Sequence, residues 1–398
     1  MFFQDNAKGS MTETRLLLED CILADVVNQQ LIHNTCVLIE NGIIKRIGVS
    51  AGFSIEPELR RISLAGKTLV PGLIDAHVHL CLSALSDCHI TLNSLDSEQL
   101  TEIVRENLLK NLMAGITTVR DLGSPMSMLS ILRELDSSMT TFPSVMASGP
   151  VLTTEDGHAT FIGVAANASN AAELIKSAAS EGAELVKLVG TGGNLSPNTD
   201  THGCQYSDED FSGIVQEAQA AGFSVACHVH AAAAADQCLR FGVRSIEHGS
   251  YIKVEQLPEF IKAGAYWVPT ICPGRLVNGL SEAALDRVAR RRSNLRHAIN
   301  LGLNIAAGTD AGIGGVKHGC LAHELDEFMD GGMTPLQALR TATFQNAVMM
   351  GIEEKKGSLE TGKDADILVF DGDISAPGFS FHNPELIIKA GALVKGSF

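Results

Sequence analysis

The sequence predicts an α/β protein, a (β/α)8 TIM barrel over residues 67–355, with a small β-sandwich built from both chain ends, 11–66 and 356–398. Three observations predict it. Five apolar runs, PGLIDAHVHL (71–80), ELVKLVGTGG (184–193), FSVACHVHA (223–231), RSIEHGS (244–250) and NIAAGTDAG (304–312), read as buried strands closing on ligand-type side chains. Functional groups at the carboxyl ends of successive strands are how such a barrel presents chemistry. Strands and helical segments alternate between them, with roughly 33 residues per strand–helix unit from His77 to Asp310, the size of a βαβ repeat. Both termini, in contrast, contain only short β-rich runs.

In chain order, RLLLEDCIL, TCVLIENG and IIKRIGV within residues 14–65 read as strands, and Asn41-Gly42 between the last two is a hairpin signal. Barrel strands are expected at 69–76, 116–122, 144–149, 184–190, 223–229, 244–248, 266–271 and 304–309. Helices between them carry ordinary punctuation. The segment 208–222 starts acidic and ends on Gly, and LRHAINLGLN (295–304) closes the same way. The β style returns in ADILVFDGD (365–373) and LIIKAGALVKG (386–396), which predicts that the two ends join. The opening MFFQDNAKGS is set aside from the fold, with Met11 as the expected natural start; it has no basic region followed by an apolar stretch.

Composition narrows the function. A net charge of −16 makes nucleic acid and anionic membranes poor partners and leaves a small-molecule substrate as the expectation. No apolar run reaches the roughly 18 residues of a membrane span. The 9 Cys are odd in number and irregularly spaced, which predicts free thiols and a cytoplasmic location. Cys227 is expected to pack in the core on the strand face opposite His228.

The candidate metal ligands are His77, His79, Lys187, His228, His248 and Asp310. His77 and His79 lie two apart on a strand, so they share a face and, with Asp310, can grip one cation. His228 and His248 come from neighbouring strands and can hold a second. Imidazole and carboxylate donors suit zinc first, with Mn, Co or Fe as alternatives. Lys187 lies in the apolar context V-K-L-V, which argues against a solvated lysine. His230 faces the same mouth as His228. Arg275 after strand 7, the backbone N–H groups of Thr191-Gly192-Gly193, and Tyr251 are candidates for binding a substrate carboxylate.

On these residues the chain resembles the amidohydrolase superfamily, with His-x-His after strand 1, Lys after strand 4, His after strands 5 and 6 and Asp after strand 8. The stretches Thr118–Gly123, Thr191–Gly193, Ser245–Gly249, Gly308–Gly312 and His318-Gly319 resemble its metal-dependent dipeptidase (prolidase-like) and imidazolonepropionase-like branch. The resemblance implies two divalent metals, a carbamate made from CO2 on Lys187, and hydrolysis of an amide by a metal-bridging hydroxide. A dipeptide or N-acyl amino acid is the implied substrate. It also implies Asp310 as general base and then acid, His158 as the group that polarises the carbonyl, a mouth position for His318, and a homo-oligomer. Lys187 favours the binuclear members over a mononuclear cyclic-amide hydrolase of imidazolonepropionase type. A non-catalytic binding or assembly relative is the remaining alternative.

Overall fold

The computed structural model describes residues 15–49, 52–53, 59–135, 141–196 and 198–397. The opening decapeptide and Met11 lie outside them. Five strands come first: β1 (Arg15–Asp25), β2 (Gln30–Glu40), β3 (Ile43–Val49), β4 (Arg60–Ser63) and β5 (Lys67–Pro71). The barrel follows with β6 (Leu73–Val78), β7 (Ile116–Asp121), β8 (Ser144–Ala147), β9 (Val151–Thr153), β10 (Gly163–Ala165), β11 (Val186–Val189), β12 (Val225–Val229), β13 (Ser245–His248) and β14 (Tyr266–Val268). The chain ends with β15 (Ile367–Asp371), β16 (Leu386–Lys389) and β17 (Ala392–Lys395).

The two ends do join. One mixed eight-stranded sheet runs β17-β16-β15-β5-β1-β2-β3, with β4 beside β1. It folds over an apolar core that includes Leu18, Leu23, Val37, Ile44, Leu69, Ile367 and Ile388. Each buried Leu, Ile or Val there stabilises by about 1.5–3 kcal/mol, which explains why strands more than 300 residues apart in sequence hold together. The hairpin forms where it was expected: Glu40 pairs Ile43, and Asn41 (φ 51°) and Gly42 (φ 80°) both take the left-handed conformation that a two-residue primed turn requires.

Within the barrel every strand pair is parallel. Strands β6, β7, β11, β12 and β13 are buried along their whole length, as a sheet covered on both faces demands. Two departures from expectation have local causes. The strand expected at 144–149 breaks before Gly149 (φ 66°) and resumes as β9; Glu184 N donating to Ala147 O at 2.9 Å ties the end of β8 to the residues just before β11. The strand expected at 304–309 is reduced to isolated bridges, Trp267–Ile305 and Val78–Ala311. Thr309 spends its N–H and hydroxyl on the Asp75 carboxylate (3.1 and 2.7 Å) instead of on a ladder. Single bonds from Ala76 N to Ala307 O and from Asp310 N to His77 O still close the barrel.

The helices obey the punctuation of the sequence. Helix Asp208–Ala220 is capped by Ser207, whose hydroxyl accepts from Asp210 N, and Gly302 (φ 71°) ends helix Glu282–Leu301. All nine cysteines are free thiols, and Cys227 is in the main core. Among the described residues no helix is long and apolar enough to cross a membrane.

Candidate active site

The carboxyl ends of the barrel strands surround a cavity of about 630 Å³. His77, His79, His158, Lys187, His228, His230, His248 and Asp310 all line it. Six strand ends or following loops therefore deliver eight ligand-type side chains to one space.

The tightest group is His77, His79 and Asp310. Asp310 Oδ1 lies 3.4 Å from His77 Nε2 and 3.3 Å from His79 Nε2. Those separations match the edge of a tetrahedron around a zinc-type ion, roughly 3.3 Å for bonds of 2.0–2.1 Å. The surroundings fix which ring nitrogen is offered. His77 Nδ1 faces Glu247 Oε2 at 2.8 Å and His79 Nδ1 faces Gly123 O at 3.2 Å. Both acceptors call for N–H at Nδ1, so each Nε2 keeps its lone pair beside Asp310. Glu247 is itself held by Arg120 at 2.9 Å and Ser245 at 2.6 Å. Burial alone would raise the Glu247 carboxyl, but Arg120 and His77 outweigh it and hold it down at about 2. Burial and the Lys187 charge push His77 down to about 4, so its imidazole is neutral at pH 7.

The remaining ligand types share this logic. His248 Nδ1 lies 2.7 Å from Thr270 Oγ1, whose own proton goes to Pro269 O, so Nδ1 donates and Nε2 is left as an acceptor. His228 is reversed: Nε2 faces Gly192 O at 3.2 Å and Nδ1 keeps the lone pair. Burial holds both rings well below the usual histidine range. His228 stands 4.7 Å from His158 and from His248 between ring centroids. His158 is buried, its Nδ1 has no partner among the described residues, and burial pushes it down to about 4. Lys187 is only 3% exposed, makes no hydrogen bond or ion pair among the described residues, and is lowered by burial. His248 (φ 67°) and Asp310 (φ 62°) sit in the left-handed region, a strain of order 1–3 kcal/mol each that concentrates where chemistry is placed.

Other sequence candidates lie elsewhere. Arg275 does not line the cavity: it is held by Glu327 (3.1 Å) and Asp330 (2.6 Å) on the helix Leu321–Asp330. Tyr251 stacks on His202 at 4.4 Å outside the cavity. The N–H groups of Gly192 and Gly193 are spent on Asp200 O and Thr199 Oγ1, so they do not cup an anion. Gly193 instead leaves room for the His158 ring: a Cβ there would sit 2.4 Å from His158 Nε2. His318 is buried behind the site, between His79 O (3.3 Å) and Asn111 (3.1 Å), where it fixes the backbone of His79.

The sequence reading missed Arg287 and Arg291, which line the cavity and are 5% and 7% exposed. Arg291 Nη1 is spent on Pro269 O, Thr270 O and Thr270 Oγ1 at 2.9–3.0 Å; its Nη2 has no partner among the described residues. Arg287 Nη2 donates to Asn194 Oδ1. The other walls are mostly apolar, with Leu82, Val151, Phe161, Ile162, Leu276 and Val277 prominent, and Ser86, Asn194 and Asn278 as polar exceptions.

The amidohydrolase family model matches residues 68–395. The chain belongs to the amidohydrolase family. This amidohydrolase is 25% identical to an ochratoxinase of Aspergillus niger over 92% of its length and 84% of the relative's. It is 25% identical to the imidazolonepropionase of Deinococcus radiodurans, over 86% of each chain. Among solved structures it is similar to a Xaa-Pro dipeptidase with bound methionine in the active site, with TM-score 0.85 and 27% identity over 96% of this chain and all of that one. It is also similar to a putative prolidase from Bifidobacterium longum, with TM-score 0.82 and 26% identity over 96% of each chain. The amidohydrolase is thus a hydrolase of a metal-dependent family, and His77, His79 and Asp310 form a group able to hold a metal ion. Glu247→Gln is expected to weaken metal retention by about 10–100-fold, because His77 loses the acceptor that orients it. Equilibrium dialysis with metal analysis measures this, and unchanged retention would remove Glu247 from the site.

Proposed function

We propose that this amidohydrolase is a binuclear metal-dependent enzyme that cleaves the amide bond of a dipeptide or N-acyl amino acid. One observation carries the reading: a single cavity holds the His, Lys and Asp donors, two buried arginines and mostly apolar walls. The donors would hold cations, the arginines would take the free carboxylate of an amino-acid product, and the apolar walls would take its acyl partner.

The donor set fits two divalent ions of the zinc type. His77, His79 and Asp310 would hold one, His228 and His248 the other, and a carboxylated Lys187 would be shared. The buried Lys187 amine, without a hydrogen-bond or ion-pair partner among the described residues, supports this, since burial favours the uncharged amine, the form that reacts with CO2, and the carbamate then replaces a cation by an anion. Bound cations supply electrophilic polarisation of the amide carbonyl and lower the pKa of water toward about 7.

The chain does the rest. Asp310 accepts the proton of the attacking water and returns it to the leaving amine. Burial alone would raise its carboxyl, but His77, His79 and Lys187 hold it below the ordinary range, so it is ionised and ready as a base at neutral pH. His158, packed beside His228, orients the carbonyl oxygen. His230, whose Nδ1 lies 2.9 Å from Ser250 Oγ, completes the wall on that side. The absence of any disulfide among nine cysteines supports a cytoplasmic setting.

A panel of dipeptides and N-acyl amino acids, each paired with its carboxyl-amidated analogue, tests the reading. The free acids are expected to be cleaved and the amidated analogues to be poor. Arg287→Gln is expected to raise KM for the acid by about 10–100-fold, the worth of a charge-assisted hydrogen bond, without affecting the amidated analogue. Equal KM values for wild type and variant would rule out the carboxylate role.

A further inference from the structure

We propose that His323, Asp326 and His382 form a second, separate metal site that takes a divalent transition cation of the zinc class. None of the three lines the active-site cavity. His323 and Asp326 lie three apart on the helix Leu321–Asp330, so they share one face. His382 arrives from the segment between β15 and β16, almost 60 residues later in the chain. One ligand atom from each side chain lies within 4.8 Å of the other two.

The geometry is close to what a cation needs. Asp326 Oδ2 is 2.9 Å from His382 Nε2 and 3.8 Å from His323 Nδ1. Ligand atoms around a tetrahedral zinc-type ion stand roughly 3.3 Å apart. The two separations straddle that value, and the two imidazole nitrogens lie within 4.8 Å of each other, close enough for side-chain rotation to bring all three onto one cation. Two imidazoles and one carboxylate make the N/O donor set of such an ion, and side-chain exposures of 34%, 23% and 32% leave an outward position for water.

The three are also held in place. Phe381, fully buried, packs against Phe370 (5.9 Å) and Phe379 (5.0 Å), which anchors the residue beside His382. The His323 and His382 rings are in contact at 4.4 Å. A plain Asp326–His382 ion pair gives no reason for a second imidazole directed at the same carboxylate. The nearby Arg275 charge is countered by Glu327 and Asp330.

Such a cation would staple the C-terminal segment to a helix that supports the cavity wall. Glu324 on that helix accepts from Ile271 N (2.9 Å) and Cys272 N (2.6 Å), immediately before the cavity residue Pro273.

The test is zinc binding by the full-length enzyme, dialysed without chelator so that tightly held metal remains, and followed by equilibrium dialysis with metal analysis. Wild type is expected to take up one equivalent more than His382→Ala, and His323→Ala, on a partly exposed helix face, is expected to lose the same equivalent. Added zinc should raise the thermal midpoint of wild type and not of either variant. Equal uptake by wild type and a folded variant, checked by circular dichroism, would overturn the site. Because neither histidine lines the cavity, turnover by the variants separates this outcome from failure of the active-site reading.

Discussion

Asp310→Asn is expected to lower kcat by roughly 10³-fold, within the span attributed to general acid–base groups, while the thermal midpoint moves by less than about 5 °C. Asn is the substitution that isolates the charge. Asp310 sits at φ 62°, a region in which Asn is among the best tolerated side chains. Its backbone N–H, which donates to His77 O at 2.8 Å, is untouched. Only the carboxylate beside His77 Nε2 and His79 Nε2 is lost. Because that oxygen also belongs to a metal-ligand group, the assay is run at saturating metal, with bound metal measured on the same sample. A loss of turnover at wild-type occupancy assigns the proton-transfer role. A kcat within about tenfold of wild type would remove it.

Much of this site is visible in the chain because a parallel barrel writes itself plainly. Each buried strand is a continuous apolar run, and a ligand at its end breaks the pattern. His77, Lys187, His228 and His248 all stand out for that reason. Features that depend on distant partners do not. The eighth strand fails to form a ladder because Asp75, more than 230 residues earlier, takes the Thr309 N–H and hydroxyl. Glu247 and Arg120 fall inside stretches whose resemblance was evident, yet nothing local shows that one carboxylate bridges His77 and Arg120. The cavity-lining arginines were missed for another reason. Arg275 follows a strand in a loop, the expected place, whereas Arg287 and Arg291 sit in the arginine-rich helix Glu282–Leu301, which reads as a solvated face. A signal was available: Arg287, Arg291 and Leu295 recur at i, i+4, i+8, beside Ala284, Val288 and Ala298. That is the buried side of the helix.

Lys187→Met is expected to abolish turnover, by roughly 10³-fold or more, and to lose part of the bound metal rather than all of it. Methionine keeps the length and apolar stem of lysine in a place that is 3% exposed, so the core has little reason to collapse. The effect should therefore come from the lost amine. An ammonium in this position would be buried without a partner among the described residues and would repel any cation held by the five surrounding donors. A carbamate reverses that sign and adds two oxygen donors. The wild-type protein is thus expected to show the mass of one added CO2 under gentle ionisation, and to lose it, with its second metal, when acidified. His77, His79 and Asp310 offer three donors without Lys187, so the variant's active site should keep one ion. One metal in both proteins, with no added CO2 in wild type, would replace the binuclear reading by a mononuclear one and redirect the substrate search toward cyclic amides. Two metals retained by Lys187→Met would show that the amine is not a bridging ligand at all, and its burial would then need an electrostatic explanation through Glu247 and Asp310 alone.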